Sequence, residues 1–184
     1  MILIKNGIEL HAYIQVSKEH IGELYLKWLN DIEIVTSIGS YTLLLPKDIS
    51  FIDESYSRFT APNAIGFFIK DSITNRWIGT AKIDKIDLYN SSAEIGIMIG
   101  EKEYWGKGIA TIVYDLLLSY AFKDLGLFRI WGGCLESNKA MAKVFQKKGF
   151  KQDALLRKNI KIKGKMENSF LFSILKNEYE NECI

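Results

Sequence analysis

Gly106 and Gly108 stand two residues apart in the run Tyr104-Trp105-Gly106-Lys107-Gly108-Ile109-Ala110, just ahead of a long amphipathic segment. Glycine lets a backbone approach a ligand closely, and the first turn of a helix carries N–H groups without intrahelical acceptors. The helix dipole adds partial positive charge at the same place, so this run can hold a phosphate or pyrophosphate largely through main chain. Gly-x-Gly pairs also occur in plain turns, and the flanking segments decide between the two readings.

Upstream, Ala93-Glu94-Ile95-Gly96-Ile97-Met98-Ile99 has the length and β-branched content of a buried strand closed by Gly100. Downstream, Ile109, Ile112, Val113, Leu116, Leu117, Tyr120 and Ala121 recur at steps of three and four and form one apolar helical face ending before Gly126. A second strand, 128–135, leads through Glu136-Ser137-Asn138 into a helix that ends near Gly149-Phe150. Earlier in the chain, residues 2–4 and 8–15 read as a strand or hairpin broken at Asn6-Gly7. Ser17 and Asp48 are N-cap residues for two helices, the first ending near Asn30-Asp31, the second turning Ile49, Ile52, Tyr56 and Phe59 inward. Residues 32–47 have no clean period. Strands at 65–70 and 77–86 precede the 93–99 run, and a final pair at 153–162 and 166–175 turns at Lys163-Gly164. The expected order, β-αα-βββ-α-β-α-ββ, is mixed α/β in one domain over residues 1–184.

The strand, glycine turn, helix, strand and Asn-headed helix together resemble the GNAT acetyltransferase superfamily. Its glycine loop, Gln/Arg-x-x-Gly-x-Gly/Ala, binds the pyrophosphate of acetyl-CoA. Here Trp105 stands where Gln or Arg is usual, with Gly108 and Ala110 in the small positions. The Tyr-Trp-Gly-Lys-Gly form is similar to the branch that includes ribosomal-protein, polyamine and amino-sugar acetyltransferases. The resemblance implies a largely antiparallel, twisted sheet of about seven strands flanked by four helices. It implies that main-chain groups of Trp105, Gly106, Lys107, Gly108, Ile109 and Ala110 hold the pyrophosphate. By the same resemblance Ile97, Met98, Ile99 and Gly100 pair with the pantetheine arm, and Asn138 touches it while serving as an N-cap. Lys107 either adds charge near the phosphates or is simply solvated.

Acetyl transfer from a thioester to an amine requires a neutral amine, a stabilised oxyanion and a proton for the leaving thiolate. Many relatives place a tyrosine where this chain has Phe145, which has no proton to give. Either another tyrosine such as Tyr104 or water then gives that proton, or CoA leaves as thiolate, and Glu94 is the carboxylate to test as base, with Glu136 second. Glu94 also reads as a salt-bridged strand residue. Keeping an alkyl amine neutral at pH 7 costs roughly 4–5 kcal/mol, and a sugar-ring amine is less basic and needs less help. The expected acceptor is therefore a small primary amine such as a nucleotide-linked amino sugar, which the basic run 158–165 could meet through its phosphates. A polyamine or aminoglycoside would need acidic groups, which Asp31, Glu33, Asp53 and Glu54 could supply. A ribosomal-protein N-terminus is a third acceptor class, and a CoA-binding module without catalysis is the rival of a different kind. Ile38, Tyr41 and Leu43 either line the acceptor pocket or pack on the core.

Composition sets bounds on this reading. With 24 basic and 22 acidic residues, the net charge of +2 does not point to nucleic acid. Cys134 and Cys183 are too few for a disulfide framework and have no metal-ligand spacing with His11 or His20, so no metal is expected. No signal-like N-terminus and no apolar run near the length of a membrane span is present, so a cytoplasmic monomer or homodimer is expected.

Overall fold

The computed structural model describes residues 1–39 and 45–182. One eight-stranded sheet runs through it in the order β1-β2-β3-β4-β5-β6-β8-β7. The strands are β1 (Ile2–Lys5), β2 (Ile8–Ala12), β3 (Ile65–Asp71), β4 (Arg76–Asp87), β5 (Ser92–Ile99), β6 (Arg129–Leu135), β7 (Lys151–Ile162) and β8 (Lys165–Leu175). Every neighbouring pair is antiparallel except β5 and β6, which are parallel and joined through a helical crossover. The helices are α1 (Lys18–Leu29), α2 (Ile32–Ile38), α3 (Ile49–Phe59), α4 (Ile109–Ser119), α5 (Lys139–Lys147) and α6 (Lys176–Glu182). A π-helical stretch, Tyr120–Asp124, extends α4. Among the described residues none of the helices is long and apolar enough to cross a membrane.

Period-two alternation along the strands divides the core between the two faces. One face buries Phe67, Ile69, Ile83, Ala93, Ile95 and Ile130 against Val113, Tyr114 and Leu117 of α4 and Phe145 of α5. The other buries Phe68 and Met98 under Trp28 and Leu29 of α1 and Ile52 of α3. Ser17 and Asp48 cap α1 and α3 through His20 and Ser50 amides, as expected.

Four features differ from the sequence reading. The N-terminal segment makes two strands, so the sheet has eight rather than seven. Two further helices are present. α2 sits within the stretch that lacked a period, its N-terminal amides taken by Asp31 and its end turned by Gly39 at φ 71. α6 closes the chain against Phe122 through Tyr179. Ile49, expected to face inward, is 62% exposed, because it is the first residue of α3 and lies ahead of the turns that pack on the core. Ile38 packs partly on the second core, whereas Tyr41, Leu43 and Cys183 lie outside the described residues.

Candidate active site

The site is built where two parallel strands part. β5 and β6 are in register only at Ser92–Arg129, Ala93–Ile130 and Glu94–Trp131. Beyond that row β5 continues to Ile99 paired with β4, and β6 continues to Leu135 paired with β8. The facing edges of the two strands are therefore unpaired at their carboxyl ends, the position at which open α/β sheets receive ligands. The glycine loop follows β5 and the Asn138 turn follows β6, so both open onto this split.

Gly106 and Gly108 adopt φ 74 and 77, in the left-handed region. A Cβ at either position would meet nothing within 4 Å. Glycine is required here by backbone conformation, not by crowding. Gly108 is the N-cap of α4, and its carbonyl accepts from Thr111 and Ile112. The N–H groups of Gly106, Gly108, Ile109 and Ala110 have no acceptor among the described residues. Those amides at a helix N-terminus form an anion site of the kind a pyrophosphate fits. On the strand before the loop, the Gly100 amide donates to Ile78 at 2.9 Å. Backbone groups of successive residues point to opposite edges, so Met98 is also turned toward β4, and Ile97 and Ile99 toward the split. The Trp105 indole N–H donates to the Ile99 carbonyl at 2.9 Å and ties the loop to that strand.

The Acetyltransferase (GNAT) domain description matches residues 13–151. The chain belongs to the GNAT acetyltransferase family. It is 35% identical over 117 residues to the uncharacterized N-acetyltransferase p20 of Bacillus licheniformis, an alignment covering 64% of each chain. The match thus spans somewhat less than two thirds of that relative's length. A spermidine N(1)-acetyltransferase of Vibrio cholerae is 25% identical over 157 residues, 85% of this chain and 90% of that one. The GNAT fold is shared with the crystal structure of spermidine N-acetyltransferase from Vibrio cholerae in complex with CoA and spermine. That comparison has a TM-score of 0.84 at 21% identity and covers 96% of this chain and all of the other.

The side chains suited to GNAT chemistry are engaged in different ways. Glu94 lies between two ammonium groups, Lys85 at 2.7 Å and Lys82 at 3.3 Å. Glu136 accepts from the Asn168 amide at 2.7 Å through one oxygen, and its other oxygen has no partner among the described residues. The Tyr104 hydroxyl donates to Asp71 at 2.8 Å and lies 3.0 Å from the Thr74 hydroxyl. The Thr74 bond lowers the Tyr104 pKa, but burial and the Asp71 carboxylate outweigh it and leave it raised. Asn138 caps α5 at the Met141 amide and donates to the Ser37 carbonyl of α2 at 2.9 Å, so both ends of its side chain are in use. Lys107 is exposed, its ammonium 5.3 Å from the Tyr104 ring centroid. Phe145 is fully buried and stacked on Phe172 with centroids 4.8 Å apart. A Cβ on Gly132 would lie 3.0 Å from the Phe145 ring and 2.9 Å from the Ile95 carbonyl, so glycine at 132 lets that ring approach β6. Burial raises the Cys134 thiol to about 11, which suits packing and not nucleophilic attack.

The acidic groups suited to a polycation are divided. Asp31 and Glu33 share Lys102, and Asp53 pairs with Lys18 at the opposite end of α1. Among the described residues no His, Cys, Asp and Glu cluster could hold a metal. What the sequence reading missed is a row of charges beside Glu94. Its signal was the alternation Lys82-x-Asp84 within the strand-like run 77–86.

Proposed function

We propose that this chain transfers an acetyl group from acetyl-CoA to a primary amine. The observation that carries the reading is the set of four unspent amides at the N-terminus of α4, placed beside the split between β5 and β6. Acetyl-CoA supplies a thioester carbonyl open to attack by an amine. Gly106, Gly108, Ile109 and Ala110 hold its pyrophosphate, with Lys107 adding positive charge from the loop. Ile97 and Ile99 lie beyond the last β5–β6 pair among the described residues, so the Ile97 N–H and C=O and the Ile99 N–H can pair with amides of the pantetheine arm as an added strand would. Asn138 fixes the opposite lip of the split by joining α5 to α2.

Overall the amine loses one proton and the CoA sulfur gains one. Glu94 is flanked by lysines, so a cationic amine meets ammonium groups before it meets the carboxylate. An amine of low basicity, largely neutral before it binds, avoids that repulsion. A nucleotide-linked amino sugar therefore fits better than a polyamine. The test is CoA release from acetyl-CoA in the presence of nucleotide amino sugars, spermidine, an aminoglycoside and peptides with free N-termini. One amine class is expected to accelerate release well above hydrolysis. Tight acetyl-CoA binding with no amine-dependent release would instead support a CoA-binding module without catalysis.

A further inference from the structure

Asp84, Glu94 and Trp131 are direct neighbours across β4, β5 and β6, in the last row before β5 and β6 part. All three stand on the face covered by α1 and α3, opposite the α4 face that carries the glycine loop. Arg58 of α3 reaches Asp84 at 2.7 Å, and Lys82 reaches Asp84 at 3.0 Å and Glu94 at 3.3 Å. Lys85 pairs with Glu94 at 2.7 Å, and its ammonium lies 5.0 Å from the Trp131 ring centroid. Three cations surround two carboxylates, a formal surplus of one positive charge.

The layering of these charges matters more than their sum. The Asp84 and Glu94 side chains are 4% and 19% exposed, whereas Arg58 and Lys85 are 56% and 58% exposed. A molecule approaching this row meets the cations first, with the carboxylates beneath them and an indole alongside. Lys85 is also held at a backbone cost. It sits at φ 53 where the β4–β5 register shifts, and its own amide donates to Asp84 at 2.9 Å. Bulges re-aim side chains, and a non-glycine residue in the left-handed region needs support from its surroundings.

We propose that this row recognises the acceptor through an anionic group, a carboxylate or a phosphate, that the acceptor carries near its amine. Lys85 and Arg58 are the direct partners, Lys82 bridges the two carboxylates by donating to one oxygen of each, and the Trp131 ring packs against the body of the acceptor. Charge-assisted hydrogen bonds from exposed cations supply the discrimination, and the same cations repel a polycation. The inference rests on the acetyl-transfer reading and narrows its acceptor.

The test uses the full chain with saturating acetyl-CoA and amines in matched pairs: glycine with glycinamide, and glucosamine 6-phosphate with glucosamine. A uridine diphosphate amino sugar and spermidine complete the set. In at least one pair the anionic member is expected to have kcat/KM about tenfold higher, and the pair that responds tells carboxylate from phosphate. Lys85→Gly, which suits the left-handed backbone, and Arg58→Gln should each reduce that preference to about threefold or less by lowering kcat/KM for the anionic member more than for the neutral one. Lys85→Arg should restore it. Equal use of both members of every pair, or preference for spermidine, would overturn the anionic-acceptor proposal while leaving acetyl transfer intact. So would equal loss on both members in Lys85→Gly. If no amine turns over, the acetyl-transfer reading fails and this proposal with it.

Discussion

Tyr104 illustrates how a residue that looks reactive in sequence can be occupied in the fold. Its hydroxyl closes a network with Asp71 and Thr74 at the β3–β4 turn, fixing the approach to the glycine loop. Tyr104→Phe removes a hydrogen bond to a carboxylate and should lower unfolding stability by about 1–3 kcal/mol. Thermal unfolding checks that loss, and kcat should stay within about twofold, since the hydroxyl already has its acceptor. A kcat reduced by about a hundredfold at unchanged stability would instead make Tyr104 the proton donor. Glu94 was equally ambiguous, because one residue in an alternating strand does not reveal which cross-strand neighbours it meets. Lys82 is twelve positions away and Lys85 nine. Only the β4–β5 register brings them to it.

At the scale of elements, the legible parts were those whose signal is local. The caps at Ser17 and Asp48, the apolar stripe of α4, and the turns at Asn6-Gly7 and Lys163-Gly164 each declare themselves within a few residues. α2 did not, because the seven residues Ile-Glu-Ile-Val-Thr-Ser-Ile are too short and too β-branched to display a helical period. Its Asp31 cap and Gly39 stop were the usable clues. The glycine loop was legible in composition, but the open amides depend on both glycines being left-handed. Gly108→Ala should therefore act through backbone strain of about 1–2 kcal/mol and not through a clash. By misaiming the loop amides it should raise the Kd for acetyl-CoA about tenfold or more, measured by calorimetry. Gly164, at φ 81 with open space around it on the distant β7–β8 turn, is the matched control. Gly164→Ala should cost similar stability and leave acetyl-CoA affinity unchanged.

Across the whole molecule, three partly buried aspartates fasten separate elements to one another, and this sets how stability responds to acid. Asp71 joins β3 to the segment before the glycine loop, and Asp84 joins β4 to α3 through Arg58. Asp115 joins α4 to Lys5 of β1 and to Lys148 beside α5. In each, burial raises the carboxyl pKa but is outweighed: at Asp71 by hydroxyl and amide donors, at Asp84 by Lys82 and Arg58, at Asp115 by Lys148 and Lys5. All three therefore stand below the usual carboxylate range when folded. A depressed folded pKa means that the unfolded chain binds more protons between the two values, so stability rises with pH in that window. The contribution is complete above the unfolded aspartate value of about 3.9 and is lost as pH falls through the folded values below it. Urea unfolding at a series of pH values should show a plateau above about pH 5 and a steep loss below about pH 4. Asp115→Asn should lower the plateau and flatten the acid limb together, because it removes both ion pairs and the group whose protonation breaks them. A lowered plateau with an unchanged acid limb would assign the acid sensitivity to other carboxylates and leave Asp115 a packing residue only.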